Sequence, residues 1–187
     1  MSIHETIRVP EDRIGVIVGR DGAVRRRIES LTNCKIEVGS DGLVTISAGS
    51  NQDGAVMAWK ARDIIQAMAR GFSPKGAFAL IDDDSYLVVI SLRDLVGSSP
   101  NQIRRVAGRI IGERGRTKRF IESTAEVRLS VYGHTVSLIG TYPNLDYASR
   151  AVSMLVEGAP HAVVYRYLER MRREMNRERA EIWEPTL

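Results

Sequence analysis

The sequence predicts an α+β protein that contains two tandem copies of a β-α-α-β-β-α unit, followed by a C-terminal helix. One observation behind this prediction is an internal repeat, because the segment 17–30 aligns without a gap with the segment 110–123. Another is that a strand-like run follows each copy at the same offset, at residues 35–38 and 128–131. A duplicated unit of this kind fixes the domain organisation before any single helix or strand is assigned.

Each copy begins with a strand candidate, at residues 6–9 and 86–90, in which β-branched and apolar residues predominate. A short helix then leads into a Gly-x-x-Gly sequence, and a second helix follows it. In the second helix, residues at i, i+4 and i+7 spacing lie on one face and form a stripe. The stripe consists of Val24, Ile28 and Leu31 in the first copy and of Thr117, Ile121 and Thr124 in the second.

Two further strands and a longer helix complete each copy. The strands are predicted at 35–38 and 43–47 in the first copy, and at 128–131 and 135–139 in the second. The spacing of the two strands is one residue shorter in the second copy, as expected for a hairpin loop of variable length. The closing helices are predicted at residues 53–70 and 145–157.

Residues 71–76 separate the copies, because they contain the Gly and Pro residues that end a helix. We place the boundary near Gly76, which gives domains at 1–75 and 76–160. Residues 77–81 are predicted to form a short apolar helical turn.

A third segment, residues 161–187, is predicted to form a helix that packs on the second domain or extends it. The stripe that would dock this helix consists of Val163, Tyr167 and Met171. Its outer face carries oppositely charged residues at i, i+4 spacing, which favours a solvated surface. These pairs are Arg170 with Glu174 and Glu169 with Arg173.

The charge of the chain favours an anionic partner. The net charge is +4, with a sequence pI near 9.5. Only four of the 27 basic residues are lysine, and arginine forms planar, bidentate bonds to phosphate and stacks on bases. Genome composition or adaptation to heat is the competing explanation for the arginine bias.

Several classes of protein receive no support from the composition. The single cysteine cannot form an internal disulfide, and the few Cys and His residues cannot build a usual structural zinc site. The first residues contain no apolar signal segment, and no stretch is apolar enough to cross a membrane. We therefore expect a cytoplasmic protein with no metal, no cofactor and no membrane partner.

The sequence of each copy resembles a KH domain of type I. In the first copy the resemblance lies in Val9-Pro10 and in the run from Ile14 to Gly22, which ends in Gly-Arg-Asp-Gly. In the second it lies in the run from Gly108 to Gly115, which ends in Gly-Glu-Arg-Gly. A single Gly-x-x-Gly is a weak signal, whereas two copies in the same context of helix and strands are specific.

The chain as a whole resembles the archaeal relatives of the Partner-of-Nob proteins, a family of small-subunit ribosome-assembly factors. This resemblance rests on the paired repeats, the connecting sequence at 69–74, the acidic residues 82–84, and the run from Ile110 to Thr117. It implies binding near the 3′ end of the small-subunit ribosomal RNA, with a Nob-type endonuclease or other assembly or translation factors as partners. Eukaryotic members tend to have a degenerate first Gly-x-x-Gly, whereas Gly19 and Gly22 are both present here, so the first domain is also expected to bind RNA.

In a KH domain the Gly-x-x-Gly loop contacts the backbone of about four nucleotides of single-stranded RNA, and the bases lie in an adjacent groove. Glycine allows main-chain amides to approach phosphate closely. The candidate loop residues are Gly19, Arg20, Asp21 and Gly22 in the first copy and Gly112, Glu113, Arg114 and Gly115 in the second.

Basic side chains beside the loops are the next candidates for RNA contact. In the first copy they are Arg25, Arg26 and Lys35, and in the second Arg109, Arg116, Lys118, Arg119 and Arg128. The basic residues are more concentrated in the second copy, so we expect it to be the stronger RNA site.

An apolar floor for the bases is predicted from residues that precede the loops or lie in the following strand. These residues are Ile14, Val18 and Ile36 in the first copy and Ile111 and Leu129 in the second. Packing in the core alone is the competing role for each of them.

Three other functions compete with RNA binding. The KH folds could serve mainly as a protein-protein adaptor, or the chain could be an RNA-degradation or translation component. An enzyme is not expected, because the only cluster of acids is Asp82-Asp83-Asp84, whose consecutive side chains point in different directions. No small-molecule substrate is expected.

Overall fold

The computed structural model describes residues 2–49 and 52–183. The chain divides into two compact units after Leu87, near the start of the fourth strand. Each unit contains one three-stranded antiparallel sheet with helices packed against it. The predicted α+β architecture of two tandem β-α-α-β-β-α copies is confirmed.

The first unit follows the predicted order of elements. They are β1 (Ser2–Arg8), α1 (Glu11–Val18), α2 (Ala23–Thr32), β2 (Lys35–Val38), β3 (Leu43–Gly49), α3 (Gln52–Ala69) and α4 (Pro74–Ala77). The sheet has the order β1-β3-β2, and Ile36 of β2 is paired with Ile46 of β3. Both side chains are buried beneath α3, so the alternation of the strands directs one face of the sheet to the core.

The second unit repeats the order and adds two helices. Its elements are β4 (Tyr86–Ser91), α5 (Leu92–Val96), α6 (Pro100–Ile111), α7 (Arg116–Ala125), β5 (Arg128–Tyr132), β6 (Thr135–Gly140), α8 (Asn144–Val156) and α9 (His161–Trp183). The sheet order, β4-β6-β5, matches that of the first unit. The predicted stripe of α7 is confirmed, because Thr117, Ile121 and Thr124 are all buried.

The short helix α5 was not predicted from the sequence. Ser91 begins it by accepting a hydrogen bond from the main-chain N–H of Asp94. Only Leu92 of its five residues is buried. A helix this short carries no i, i+4, i+7 stripe, so hydrophobic periodicity cannot reveal it.

The repeat extends beyond the closing helices. Two residues beyond the end of α3 lies Gly71 at φ 97°, and two residues beyond α8 lies Gly158 at φ 94°. The N–H of each glycine bonds to the carbonyl three residues earlier, Met68 or Leu155, at 3.1 and 3.2 Å. Each closing helix therefore ends in the same left-handed turn, after which the chain enters another helix, α4 or α9.

The helical residues that follow the predicted boundary at Gly76 still pack on the first unit, and the division between the two compact units comes after Leu87. Residues 74–81 form α4 and a following 3-10 turn, both of which pack against α3 of the first unit. Lys60 of α3 fixes the end of this turn, since its Nζ donates to the carbonyl of Ile81 and to Asp83, both at 2.6 Å. The helical turn predicted at 77–81 is present, but it belongs to the first unit.

The C-terminal helix α9 packs against α7 and α8 of the second unit. Val164, Leu168 and Met175 are its buried residues. Of the predicted stripe, Tyr167 packs against the core of the second unit, whereas Val163 is exposed. Burial of Val164 and Leu168 stabilises the docked helix by about 1.5–3 kcal/mol each. Residues 184–187 lie outside the described part of the chain.

The outer face of α9 is charged, as predicted, but with different pairs. Arg177 pairs with Glu181 at 3.8 Å, and Arg179 reaches Glu126 at 3.5 Å. Between residues 161 and 183, the structure forms neither of the pairs predicted for Arg170 and Glu169. Solvated ion pairs of this kind contribute little to stability. The sequence spacing therefore does not predict which of the possible pairs forms.

Candidate nucleic-acid interface

The two Gly-x-x-Gly sequences form loops of the same shape. We call residues 19–22 the GRDG loop and residues 112–115 the GERG loop. The first glycine has φ/ψ angles of 72°/174° in the GRDG loop and 73°/172° in the GERG loop. The third residue has 50°/28° and 50°/29°, and the last glycine has 77°/13° and 75°/16°. The sequence repeat is therefore a repeat of backbone conformation.

The first glycine of each loop is required by helix packing. A Cβ on Gly112 would overlap the side chain of Thr117 and lie 2.8 Å from its main-chain nitrogen. A Cβ on Gly19 would meet Val24 in the same way, again 2.8 Å from the nitrogen. The missing Cβ was expected to give clearance for phosphate, but the structure assigns it first to the contact with the following helix.

The last glycine of each loop has a different requirement. The atom nearest to a Cβ on Gly22 would be Nη1 of Arg26 at 3.1 Å, and on Gly115 it would be Nη1 of Arg119 at 3.0 Å. These guanidinium groups end flexible side chains and can move. Glycine is needed here because φ is positive, a conformation that costs other residues about 1 kcal/mol or more.

Each loop presents main-chain donors to solvent. The two middle residues, Arg20 and Asp21 or Glu113 and Arg114, are the first two residues of a 3-10 turn, so their N–H groups have no acceptor within that turn. The helices that follow, α2 and α7, also have no side-chain cap at their first residue. Uncapped N–H groups at a helix N-terminus attract an anion such as phosphate.

A groove lies on one side of α6 in the second unit. We call it the base groove; its volume is about 470 Å³, and it is bounded by α6, the segment before it and the β5–β6 turn. Apolar side chains of Ile103, Ala107 and Val131 line it together with the polar side chains of Arg93, Arg104 and His134. An apolar cavity with a few polar groups suits an unstacked base, which needs both a surface to lie on and partners at its edge.

Sequence reasoning missed the lining residues of the base groove. The repeat could have found one of them, because Ala107 aligns with Ile14, which was predicted as groove floor in the first copy. His134 lies in the β5–β6 turn, and Arg93 lies in the unpredicted helix α5. No local pattern marks either residue as a neighbour of α6.

A second concavity lies on the opposite side of α6. We call it the α9 cleft; its volume is about 560 Å³, and it is enclosed by α6, the start of α7 and the start of α9. The predicted residues Arg109, Gly112, Glu113 and Arg116 line this cleft rather than the base groove. The GERG loop thus borders the α9 cleft directly, whereas the base groove reaches α6 only as far as Ala107, about one turn before the loop.

The predicted floor residues divide into two groups. Ile111, directly before the GERG loop, is 37% exposed, and Ile14 and Val18 in the first unit are half-buried. By contrast, Ile36 and Leu129 are only 1% and 2% exposed. These two side chains point into the cores beneath their sheets, so in this conformation they offer almost no surface to a base.

Arg109 has a structural role that the sequence did not reveal. Its Nε donates to the carbonyl of Leu155 at 3.2 Å, and its Nη2 donates to that of Ala159 at 2.6 Å. In the first unit, Arg13 bonds to the carbonyls of Met68 and Phe72 at 2.8 and 2.7 Å. Each arginine therefore holds the end of the closing helix against the helix before the loop.

Two of the predicted cations of the first unit, Arg26 and Lys35, are committed to protein groups. Arg26 donates to the carbonyl of Asp21 at 2.7 Å and braces the GRDG loop, while Arg25 is half-buried. Lys35 pairs with Glu37 at 2.7 Å, which raises the pKa of Lys35 and lowers that of Glu37. Arg20 remains almost fully exposed beside Asp21.

The second unit leaves more of its cations accessible. Arg114, Arg116, Arg119 and Arg128 are exposed, and Lys118 is half-buried. None of these five side chains has a hydrogen bond or ion pair within the described residues. The charge available to an RNA backbone is therefore greater here than beside the GRDG loop.

The acidic run 82–84 forms the turn between the first unit's last helical residues and β4. Asp83 accepts a hydrogen bond from Lys60, which lowers the pKa of Asp83. Within residues 2–49 and 52–183 no group of three His, Cys, Asp or Glu side chains is placed to hold a metal ion. In the same residues no helix is long and apolar enough to cross a membrane.

Two family models match the chain. Residues 86–173 match the model described as eukaryotic type KH-domain (KH-domain type I), and residues 4–65 match the model described as KH domain. The two matches coincide with the two sheets and their loops.

The chain is also similar to three individual proteins. A KH domain-containing protein of Methanocaldococcus jannaschii is 43% identical over 96% of this chain and 78% of its own length. The chain of a crystal structure of an a/eIF2alpha-aDim2p-rRNA complex from Pyrococcus horikoshii OT3 is 40% identical, with a TM-score of 0.86 over 92% of this chain and 96% of that one. The pre-rRNA-processing protein pno1 of Emericella nidulans is 31% identical over 62% of this chain, but the match spans only 46% of that relative.

Proposed function

This chain belongs to the family of KH-domain proteins that includes archaeal Dim2p and the Pno1 proteins, and from this membership we propose that it binds single-stranded ribosomal RNA during assembly of the small ribosomal subunit. The observation that carries the proposal is the pair of loops of equal conformation, each with two main-chain N–H groups at the start of a 3-10 turn that provides no acceptor for them. A sugar-phosphate chain supplies the acceptors that these groups need.

The GERG loop is proposed as the principal RNA site. The base groove lies along the preceding helix α6, and the exposed cations Arg114, Arg119 and Arg128 have no protein partner in the described residues. The GRDG loop has the same backbone, but its neighbour Arg26 is bound to the carbonyl of Asp21. We propose that it binds RNA more weakly.

Within the ribosomal RNA, the proposed target is the region near the 3′ end of the small-subunit RNA. Two facts support this proposal: the resemblance to ribosome-assembly factors, and the presence of rRNA in the complex that contains the similar Pyrococcus protein. A protein that holds an unpaired terminal segment in a groove keeps it from pairing elsewhere. The proposed role is binding and presentation of RNA, without catalysis by this chain, in the cytoplasm.

Two kinds of protein partner are proposed. One is a Nob-type endonuclease, which the family resemblance implies. The other is the alpha subunit of a translation initiation factor, because the similar Pyrococcus protein occurs in a complex with a/eIF2alpha. Partners of this kind do not exclude RNA binding, since a protein can dock on surfaces other than the two loops.

Crosslinking in cells tests the proposal. The protein is crosslinked to RNA by ultraviolet light, purified under denaturing conditions, and its RNA adducts are sequenced. Adducts concentrated near the 3′ end of the small-subunit ribosomal RNA are expected, and they should be lost when Glu113 and Arg114 are both changed to Asp. Adducts spread over unrelated RNA, or unaffected by that change, would contradict the proposal.

A further inference from the structure

We propose that the α9 cleft is a second RNA-binding site, which takes a phosphodiester group of the same strand on the side of the GERG loop away from the base groove. This inference rests on the proposed function, because it extends the RNA path of the second unit. It assigns the C-terminal helix α9 a role in recognition as well as in stability.

The cleft is large enough and has an open floor. Its volume of about 560 Å³ is comparable with that of the base groove. Gly108 forms part of the floor, and a Cβ on this residue would meet no atom within 4 Å. A ligand can therefore approach the backbone of α6 one turn before the GERG loop.

The charge of the cleft favours an anion. Three arginines line it, Arg105, Arg109 and Arg116, against a single acid, Glu113. The guanidinium group of Arg109 is held by main-chain carbonyls. Those of Arg105 and Arg116 are exposed and have no partner in the described residues, which leaves two cations to bind phosphate.

The first copy shows that the fold does not require these arginines. The aligned residues there are Asp12, Val16 and Ala23 in place of Arg105, Arg109 and Arg116. The GRDG and GERG loops nevertheless have the same conformation. The three arginines of the cleft thus occur only in the copy that carries α9. Formation of the Gly-x-x-Gly loop does not require them, so they are expected to have another function.

The wall that α9 contributes is firmly held. Tyr165 shares a hydrogen bond with Thr117 at 2.9 Å, and its ring lies 4.2 Å from that of Phe120. His161 bonds through Nε2 to the carbonyl of Arg109 at 2.9 Å. Because these contacts join α9 to both α6 and α7, the cleft is formed before a ligand binds, which reduces the entropic cost of binding.

Titration with RNAs of two lengths distinguishes binding in the α9 cleft from binding at the GERG loop. All proteins carry Arg20→Asp, which turns the GRDG loop into Gly-Asp-Asp-Gly and confines binding to the second unit. A tetranucleotide and an octanucleotide of unpaired RNA are titrated by fluorescence anisotropy into the parent protein, Arg105→Ser and Gly108→Glu. The two test positions lie in the cleft, and neither belongs to the GERG loop or the base groove.

The octanucleotide is expected to bind the parent more tightly than the tetranucleotide. Arg105→Ser should weaken octanucleotide binding about tenfold by loss of one charge-assisted hydrogen bond, and Gly108→Glu should do so by about as much because its carboxylate enters the cleft and repels phosphate. Both should change tetranucleotide binding less than about twofold. Gly15→Glu is the matched control in the first copy, where a Cβ also meets nothing within 4 Å. Arg172→Ser, on the exposed part of α9, controls for the loss of charge alone. Neither control should alter octanucleotide binding.

The possible failures are distinct. If the parent binds no tetranucleotide, the proposed function fails together with this inference. If it binds the tetranucleotide, but Arg105→Ser and Gly108→Glu leave octanucleotide binding unchanged, only the cleft proposal is overturned. A glutamate-rich octapeptide that occupies the cleft more tightly than the RNA would also overturn it, in favour of a protein partner. Should Gly108→Glu lose helical circular dichroism, Arg105→Ser on the exposed surface still decides the outcome.

Discussion

The hydroxyl group of Tyr165 in α9 lies 2.9 Å from the hydroxyl group of Thr117 in α7. Thr117 is also the residue on which Gly112, the first glycine of the GERG loop, packs without a Cβ between them. In the first unit the corresponding residue is Val24, which has no hydroxyl to share. The C-terminal helix is therefore linked to the GERG loop through one buried side chain.

Replacement of Tyr165 by Phe should destabilise the second unit by about 1 kcal/mol, because the buried hydroxyl of Thr117 loses its partner. Hydrogen exchange of peptides from residues 116–125 measures this as faster exchange. Thr117→Val removes the unpaired hydroxyl, and Val24 shows that valine fits this position. The double variant should therefore exchange no faster than Tyr165→Phe alone. If peptides 116–125 of Tyr165→Phe exchange at the same rate as those of the wild-type protein, the hydrogen bond contributes nothing to the stability of the second unit.

The two glycines of the GERG loop should differ in their tolerance of alanine. Gly112→Ala brings a Cβ into Thr117 at a positive φ, so we expect a loss of about 3 kcal/mol from the second unit. Gly115→Ala meets only the mobile guanidinium of Arg119 and should cost about 1 kcal/mol. Calorimetric melting of the two variants gives the comparison. Equal shifts in melting temperature would mean that the contact with Thr117 is not the reason for glycine at 112.

Changing Glu113 and Arg114 both to Asp should abolish RNA binding by the second unit with little loss of stability. The added negative charges repel phosphate, while Asp adopts the φ of 50° found at Arg114 more readily than Arg does. The matched change in the first copy is the single substitution Arg20→Asp, which produces the same Gly-Asp-Asp-Gly sequence. Its effect on affinity should be smaller.

Anisotropy titration with a short unpaired oligoribonucleotide measures both variants, and circular dichroism verifies their folding. Equal losses would refute the ranking of the two loops. A protein-protein adaptor would retain its protein partner in both variants, and loss of that partner together with RNA would point to a shared surface.

Arg109 should matter for stability more than its place beside the GERG loop suggests. Arg109→Met keeps much of the side-chain length but removes the bonds to the carbonyls of Leu155 and Ala159, so we expect a loss of about 2–3 kcal/mol. Exchange of peptides from the end of α8 should accelerate. Arg13→Met is the matched variant, with the same expected effect at the end of α3. A variant of Arg109 that loses RNA affinity but no stability would contradict the structural role.

Most of the fold could be predicted because each helix and strand of the repeat occurs twice in the sequence, so that two patterns support each assignment. Strand β2 begins and ends at the predicted residues, and α9 covers the predicted segment as far as it is described. The docking face of α9 was predicted only in part, with Tyr167 packed on the core, because both 163/167/171 and 164/168/175 place apolar residues on one helical face. Only the shape of the second unit decides that Val164 and Leu168 are buried.

The candidate site was less predictable, since it depends on contacts between distant residues. Arg109 and Leu155 are 46 positions apart, and no local pattern shows that one binds the other. The sequence of β5 does not show which face of the sheet the side chain of Leu129 joins. Leu129 is buried because the helices pack on that face. The α9 cleft likewise exists only because His161 and Tyr165 are brought beside the GERG loop by the turn at Gly158.

The most direct test of RNA binding is a titration of the wild-type protein with a short unpaired oligoribonucleotide at a series of salt concentrations. Saturable binding is expected at low ionic strength. With about four phosphates neutralised, the logarithm of the affinity should fall with the logarithm of the salt concentration at a slope of roughly −3. No binding at the lowest salt, or an affinity that does not respond to salt, would contradict the assignment of the two glycine loops to an RNA backbone.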